Sequence, residues 1–102
     1  MIQVTVTIDF GPADKPGREK LVTVPDRSTV LEALSVFVPV VTTPRYGMDH
    51  FVEAIDEIAN DLAGERGWRF EVNGRGSNVP AERYLVKHGD WIKWRYFVGN
   101  CS

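Results

Sequence analysis

The chain has 102 residues, 43% of them hydrophobic and 25% charged, and carries a formal net charge of −2. That length suits one domain, 1-102, with one core, and the charge offers no global field that would favour nucleic acid. The only cysteine, Cys101, excludes an internal disulfide and a cysteine-built zinc or iron–sulfur centre.

The N-terminus enters Ile2-Gln3-Val4 without the charged start and apolar run of a signal peptide. No apolar run nears the roughly 20 residues that span a bilayer, so no membrane insertion is expected. A full-length chain would be cytoplasmic; one excised from an exported protein would be extracellular. Ile2, Val4, Val6, Ile8 and Phe10 alternate strictly with Gln3, Thr5, Thr7 and Asp9, which predicts a strand with one buried face. The Pro- and Gly-rich stretch 11–17 is a loop, and Lys20 to Val24 is a second strand ended by Pro25-Asp26. The two strands should form an antiparallel hairpin.

Thr29-Val30-Leu31-Glu32 is a capping box, and apolar residues at helical spacing follow as far as Val38, where Pro39 intervenes. A helix is therefore predicted over about 29-38. Residues 40–47, punctuated by Pro44 and Gly47, read as irregular. From Phe51 to Leu62 the spacing of Phe51, Ile55, Ile58 and Leu62 favours a helix over a strand. Gly64 to Gly67 turns the chain into a strand in which Trp68, Phe70 and Val72 alternate with Arg69 and Glu71. Asn73-Gly74 tolerates positive φ at both positions, and residues 74–78 form a loop tip. Ala81 to Val86 carries Tyr84 and Val86 on one side. Gly89-Asp90 turns into a final aromatic-rich strand, Trp91 to Val98.

A strand hairpin, one helix and further strands on the same sheet make an α+β, β-grasp (ubiquitin-like) plan, with the helix across one face of a mixed sheet. Val22-Thr23-Val24-Pro25-Asp26-Arg27-Ser28-Thr29-Val30-Leu31-Glu32-Ala33-Leu34 resembles the V-T-V-P-x-x-S-T-V-L-x-A-L segment of the transcobalamin C-terminal-like domain family. Gly67-Trp68-Arg69-Phe70 with Val72-Asn73-Gly74 resembles its G-W-x-[YF]-x-V-N-G. Tyr84 and the run from Lys87 to Tyr96 resemble its Y-x-x-x-x-G-D-x-I-x-W-x-Y ending. Three blocks in this order cover nearly the whole chain. Residues 54–61 also look like the S-I-N-N-I-A-E-N run of intrinsic-factor-like members, which implies strand and turn for 51–56 in place of helix. The resemblance implies a small ligand- or protein-binding module, with cobalamin one candidate ligand and no cofactor required. It also implies that Val52 and Ala54, beside the Trp strand, face the ligand.

The chemistry of catalysis is missing from the sequence. His50 and His88 have no second metal ligand at a recognisable spacing, and the adjacent Asp56 and Glu57 diverge on either a strand or a helix. No serine has a nucleophile-elbow context, and the glycines form no phosphate loop. The chain is expected not to be an enzyme. Its last residues, 99–102, lack the Gly-Gly end of sulfur carriers and ubiquitin-like modifiers, and plant-type ferredoxins need four cysteines.

In the last strand Trp91, Lys93, Arg95 and Phe97 point one way and Ile92, Trp94, Tyr96 and Val98 the other. One helix cannot cover both sets, so aromatic surface should remain exposed. Trp68, Phe70 and Val72 read as core. The binding residues expected are Trp91, Phe97 and the tip Arg75, Gly76, Ser77 and Asn78, with Val52 and Ala54 by resemblance. Partners would be a small molecule or a protein. The alternative is a structural domain that self-associates, for example as a homodimer, through an open sheet edge, or serves as a non-catalytic enzyme subunit.

Overall fold

The N-terminal alternation builds β1 (Ile2–Asp9), whose Val4, Val6 and Ile8 are wholly buried in the computed structural model, which describes residues 1–61, 64 and 66–98. A single 3-10 turn, Gly11–Ala13, follows. A Cβ at Gly11, where φ is +46°, would collide with the Tyr96 carbonyl oxygen, so this position needs glycine. β2 (Arg18–Val24) returns antiparallel to β1, with Val22 opposite Val4.

The capping box is formed as expected. The Glu32 N–H donates to the Thr29 hydroxyl at 3.1 Å, and the Thr29 N–H donates to the Glu32 carboxylate at 3.0 Å. The helix it starts, α1 (Val30–Ser35), is shorter than the spacing predicts. The Phe37 and Val38 N–H groups both donate to the Leu34 carbonyl, which tightens the chain before Pro39 ends it. Val30, Ala33 and Leu34 face the core.

Residues expected to be irregular form β3 (Val40–Arg45), which pairs with β4 (Met48–Ile55). Pro44 is accommodated because the register shifts between Thr43 and Arg45, a bulge where a missing N–H costs little. Then comes a two-residue turn and β5 (Ile58–Ala59), so 51–61 is strand and turn and the helix spacing misleads. Asp56 and Glu57 both have positive φ, 49° and 74°, as the tight hairpin turn requires. Ile55 lies opposite Ile58 across that turn, which gives two buried-side residues the three-residue spacing of a helix.

β6 (Arg66–Val72) and the short β7 (Arg75–Gly76) are joined by Asn73-Gly74, with φ of 54° and 83°. The chain then crosses through 77–90 without regular strand, touching α1's entry by a Thr29–Leu85 bridge, into β8 (Trp91–Val98). Within that crossing Val86 is buried and Tyr84 packs edge-on against Phe70.

Two sheets result. One has five strands in the order β2-β1-β8-β6-β7, mixed because β1 and β8 run parallel; the other has three, β3-β4-β5. The expectation of a single sheet is corrected here: β3 pairs only with β4 among the described residues, and its register shifts bend and twist it. Helix and sheets share one core, in which Val4, Val6, Ile8, Phe10, Val30, Leu34, Ile55 and Ile92 are fully covered. Leu62, assigned by spacing to a helix face, and Asn100-Cys101-Ser102 lie outside the described residues.

Candidate functional site

β6 is the strand on which the site is built. Its odd-numbered residues bond β8: the Asn73 N–H donates to the Trp91 carbonyl at 2.8 Å, continuing the ladder that sets Arg69 opposite Arg95. Its even-numbered residues therefore turn their backbone groups outward. At one end Arg66 exchanges two bonds with Asp61, and the Trp68 N–H donates to Asn60 Oδ1 at 3.0 Å. At the other end Val72 pairs with Arg75.

Asn60 also donates from Nδ2 to the Val52 carbonyl, Trp68 Nε1 donates to the Ile58 carbonyl at 2.8 Å, and the Tyr96 hydroxyl donates to the Ala59 carbonyl at 2.8 Å. These bonds pin the three-stranded sheet to β6 and β8 at one end. At the other end the sheets part. The crossing segment is fixed on the far side, with the Leu31 N–H donating to the Ala81 carbonyl and the Asp49 N–H to Glu82.

Between them opens a cleft of about 530 Å³. That volume lies within the range of about 300–1,000 Å³ typical of small-ligand sites. The β3–β4 turn and β4 supply one wall, with Tyr46, His50 and Phe51. Trp68, Arg69 and Phe70 supply the floor, and Val79 and Arg83 the opposite rim. The Tyr46 and Phe51 rings meet edge-on at 5.1 Å, although Tyr46 is 66% exposed. Trp94 also lines the cleft, and its indole N–H is buried without a partner among the described residues. The cleft's charge is one-sided: Arg69 and Arg83 line it, and among the described residues no carboxylate does. Arg69 stacks 4.5 Å from the Phe97 ring centroid.

The expected binding residues do not gather at one place. Val52, Ser77, Asn78 and Phe97 line this cleft. Ala54 is buried between β3 and β5 and does not line it. Arg75 and Gly76, with Ser77 and Asn78, flank a second depression of about 600 Å³ beside Val72 and Tyr84. Trp91 lies on the open face of the large sheet, 44% exposed, with its indole N–H on the Thr7 hydroxyl at 2.8 Å. Val72 is core as expected, whereas Trp68 and Phe70 serve core and cleft together. Tyr46, Phe51, Arg69 and Arg83 had no local motif to mark them; the aromatics on either side of the Tyr46-Gly47 turn were the only cue.

Among the described residues no three His, Cys, Asp or Glu side chains come together as a metal site. His88 Nδ1 accepts from the Gln3 N–H, which ties the turn before β8 to β1. Asp56 is held below the ordinary carboxylate range, first by its hydrogen bond from Lys15, then by Arg18, against the opposing effect of burial. It lies at the β4–β5 turn and clamps two loops, with both cations 3.0 Å away.

Residues 27–97 match a domain family described as a domain of unknown function, DUF4430. The chain belongs to that family. No curated protein matches it significantly. Among solved structures, this DUF4430 chain is similar to a candidate metal-binding protein from Ruminococcus gnavus, with a TM-score of 0.78 and 20% identity over 98% of this chain and 100% of that one. It is also similar to haptocorrin in complex with Cbi, with a TM-score of 0.80 and 14% identity over 97% of this chain. The chain spans 25% of the haptocorrin chain. At these identities the likeness establishes a shared, transcobalamin-like fold.

Proposed function

We propose that this DUF4430 domain is a non-catalytic binding module of β-grasp, transcobalamin C-terminal-like type, and that its ligand sits in the cleft between β4, β6 and the 77–83 segment. The observation that carries the reading is the cleft itself: aromatic walls, two arginines, a buried indole donor and, among the described residues, no carboxylate. Apolar walls with a few placed polar groups fit a small ligand better than they fit proton transfer. Haptocorrin, with the same fold, was solved with Cbi, which makes a corrinoid the first ligand to try. A flat macrocycle could lay one edge against Trp68 and Phe51 while its polar periphery meets Arg69 and Arg83.

The test is titration with cobalamin, following its visible spectrum and the protein's tryptophan fluorescence. Quenching that weakens in Trp68→Phe supports the corrinoid reading. An unchanged spectrum together with no heat in calorimetry would remove the corrinoid, and native mass spectrometry of co-purifying molecules would then identify what the cleft takes.

One observation favours a second reading. β2 is a terminal strand of the large sheet and carries Leu21 58% exposed, an edge to which another copy could add. A dimer by light scattering that is lost on placing proline at Leu21 would favour it; a monomer at high concentration would dismiss it.

A further inference from the structure

The geometry points to a more specific occupant: we propose that the cleft takes an extended peptide segment as an added strand on the outer edge of β6, with an acidic residue opposite Arg69. This deepens the cleft reading and rests on it.

The argument begins with backbone accounting. Of β6's outward groups, Arg66 is bonded to Asp61, the Trp68 N–H to Asn60, and Val72 pairs with β7. The Trp68 carbonyl and the Phe70 N–H lie between these covered ends and have no partner strand among the described residues. They flank Arg69 and point the same way, into the cleft. A carbonyl and an N–H spaced like this are the half-ladder that a new strand completes.

The lining supports an edge site over a face site. Trp68, Arg69 and Phe70 are consecutive residues of one strand, so their side chains lie on alternate faces, yet all three line the cleft. A groove that touches both faces of a strand runs along its rim.

Register then dictates the peptide. In either strand direction, the residue opposite Arg69 points its side chain to the Arg69 face, and its two neighbours point to the Trp68 and Phe70 face. That second face is walled by Trp68, Phe70 and Phe51, which suits apolar neighbours. The first face presents Arg69, which has no ion-pair partner among the described residues because Glu71 pairs with Arg95 at 3.6 Å. Arg83 adds positive charge, and no carboxylate among the described residues lines the cleft. The sequence recognised is apolar, acidic, apolar, in extended form.

The experiment uses the full chain, labelled with nitrogen-15, and the blocked pentapeptide Gly-Val-Glu-Val-Gly. Binding should move the Phe70 amide resonance downfield and slow its hydrogen exchange. N-methylating the Glu and the Val after it should abolish binding. Replacing Glu by Lys should weaken it about ten-fold, the scale of one charge-assisted pair. Arg69→Glu should reverse that preference, and Arg69→Gln should erase it. Equal binding of the N-methylated peptide, or an unchanged charge preference in Arg69→Glu, overturns the proposal. If the peptides leave Trp68 and Phe70 unmoved while cobalamin shifts them, strand addition fails and the cleft reading stands. If neither probe moves them, both fail.

Discussion

In the five-stranded sheet, β1 and β8 run side by side over five residue pairs without a register shift, and their inward side chains are almost wholly buried. In the three-stranded sheet, β3 shifts register twice against β4, contains Pro44, and leaves Val41 and Tyr46 more than half exposed. The first sheet supplies most of the shared core's strand residues. The second uses only part of its surface for packing and turns the rest to the cleft. The difference shows how a small domain can hold a site: regular pairing makes a rigid floor, and an irregular hairpin pinned at one end supplies the wall.

The sharpest way to break this comparison is to cut the floor. Phe10 is fully buried, meets Trp68 edge-on at 5.6 Å and has Lys15 4.9 Å above its ring. Phe10→Ala should cost about 3–5 kcal/mol in urea denaturation, the usual cost of emptying an aromatic core site. A cost below about 1 kcal/mol would mean that the large sheet does not dominate stability.

Next in size is the turn of each sheet. Asn73 holds φ at 54° while its side chain accepts from the Trp91 N–H at 2.9 Å and donates to Asp90 at 3.0 Å. Asn73→Ala removes both bonds and strains the turn, so a loss of about 1–3 kcal/mol is expected. Tyr46→Ala, in the β3–β4 turn, should stay within about 0.5 kcal/mol, since an exposed ring contributes little. Comparable losses in the two turns would erase the distinction.

These turns also explain what could be read from the residues in advance. Ile2 to Phe10 and Trp91 to Val98 alternate because each has one wet face and one dry face, so period two survives in the sequence. The Thr29–Glu32 box and Asn73-Gly74 are local chemistry and needed no tertiary knowledge. Residues 40–62 were opaque for a physical reason. Ile55 and Ile58 face each other across a two-residue turn, and that spacing is the same as one helical turn. Val52, Ala54 and Ile55 are all buried, since the hairpin packs on both sides, which removes the alternation. The cleft was half legible: Phe97, Ser77 and Asn78 fell in it, while Arg69 and Arg83 owe their place to β6's free edge and to the crossing segment, neither of which leaves a motif.

A gain of stability should come from the irregular sheet. Glu57 sits at φ 74° without glycine's freedom. Left-handed backbone costs such a residue about 1–2 kcal/mol, part of which glycine returns as unfolded-chain entropy. Glu57→Gly should therefore stabilise the fold by up to about 1 kcal/mol, seen as a higher midpoint in calorimetry. A loss would show that the Glu57 side chain makes a contact worth more than the relieved strain.

The smallest effect is electrostatic and depends on pH. Asp56 fastens the β4–β5 turn to Lys15 and Arg18, whose loop belongs to the large sheet, and Lys15 also donates to the Asp56 carbonyl at 2.9 Å. Its folded-state carboxyl is held below the ordinary value of 3.8, chiefly by the Lys15 hydrogen bond. A lowered folded value means the stabilisation is complete above the unfolded value and disappears as pH falls through the folded one. Asp56→Asn keeps the turn, because asparagine tolerates φ of 49°, and removes only the charge. At pH 7 the variant should be less stable by under about 1 kcal/mol, because both cations are partly solvated. That gap should narrow below about pH 4 and shrink in molar salt. A gap independent of pH would mean that the carboxylate's charge does not join the two sheets, leaving the bonds from Asn60, Trp68 and Tyr96 to hold the wall of the cleft in place.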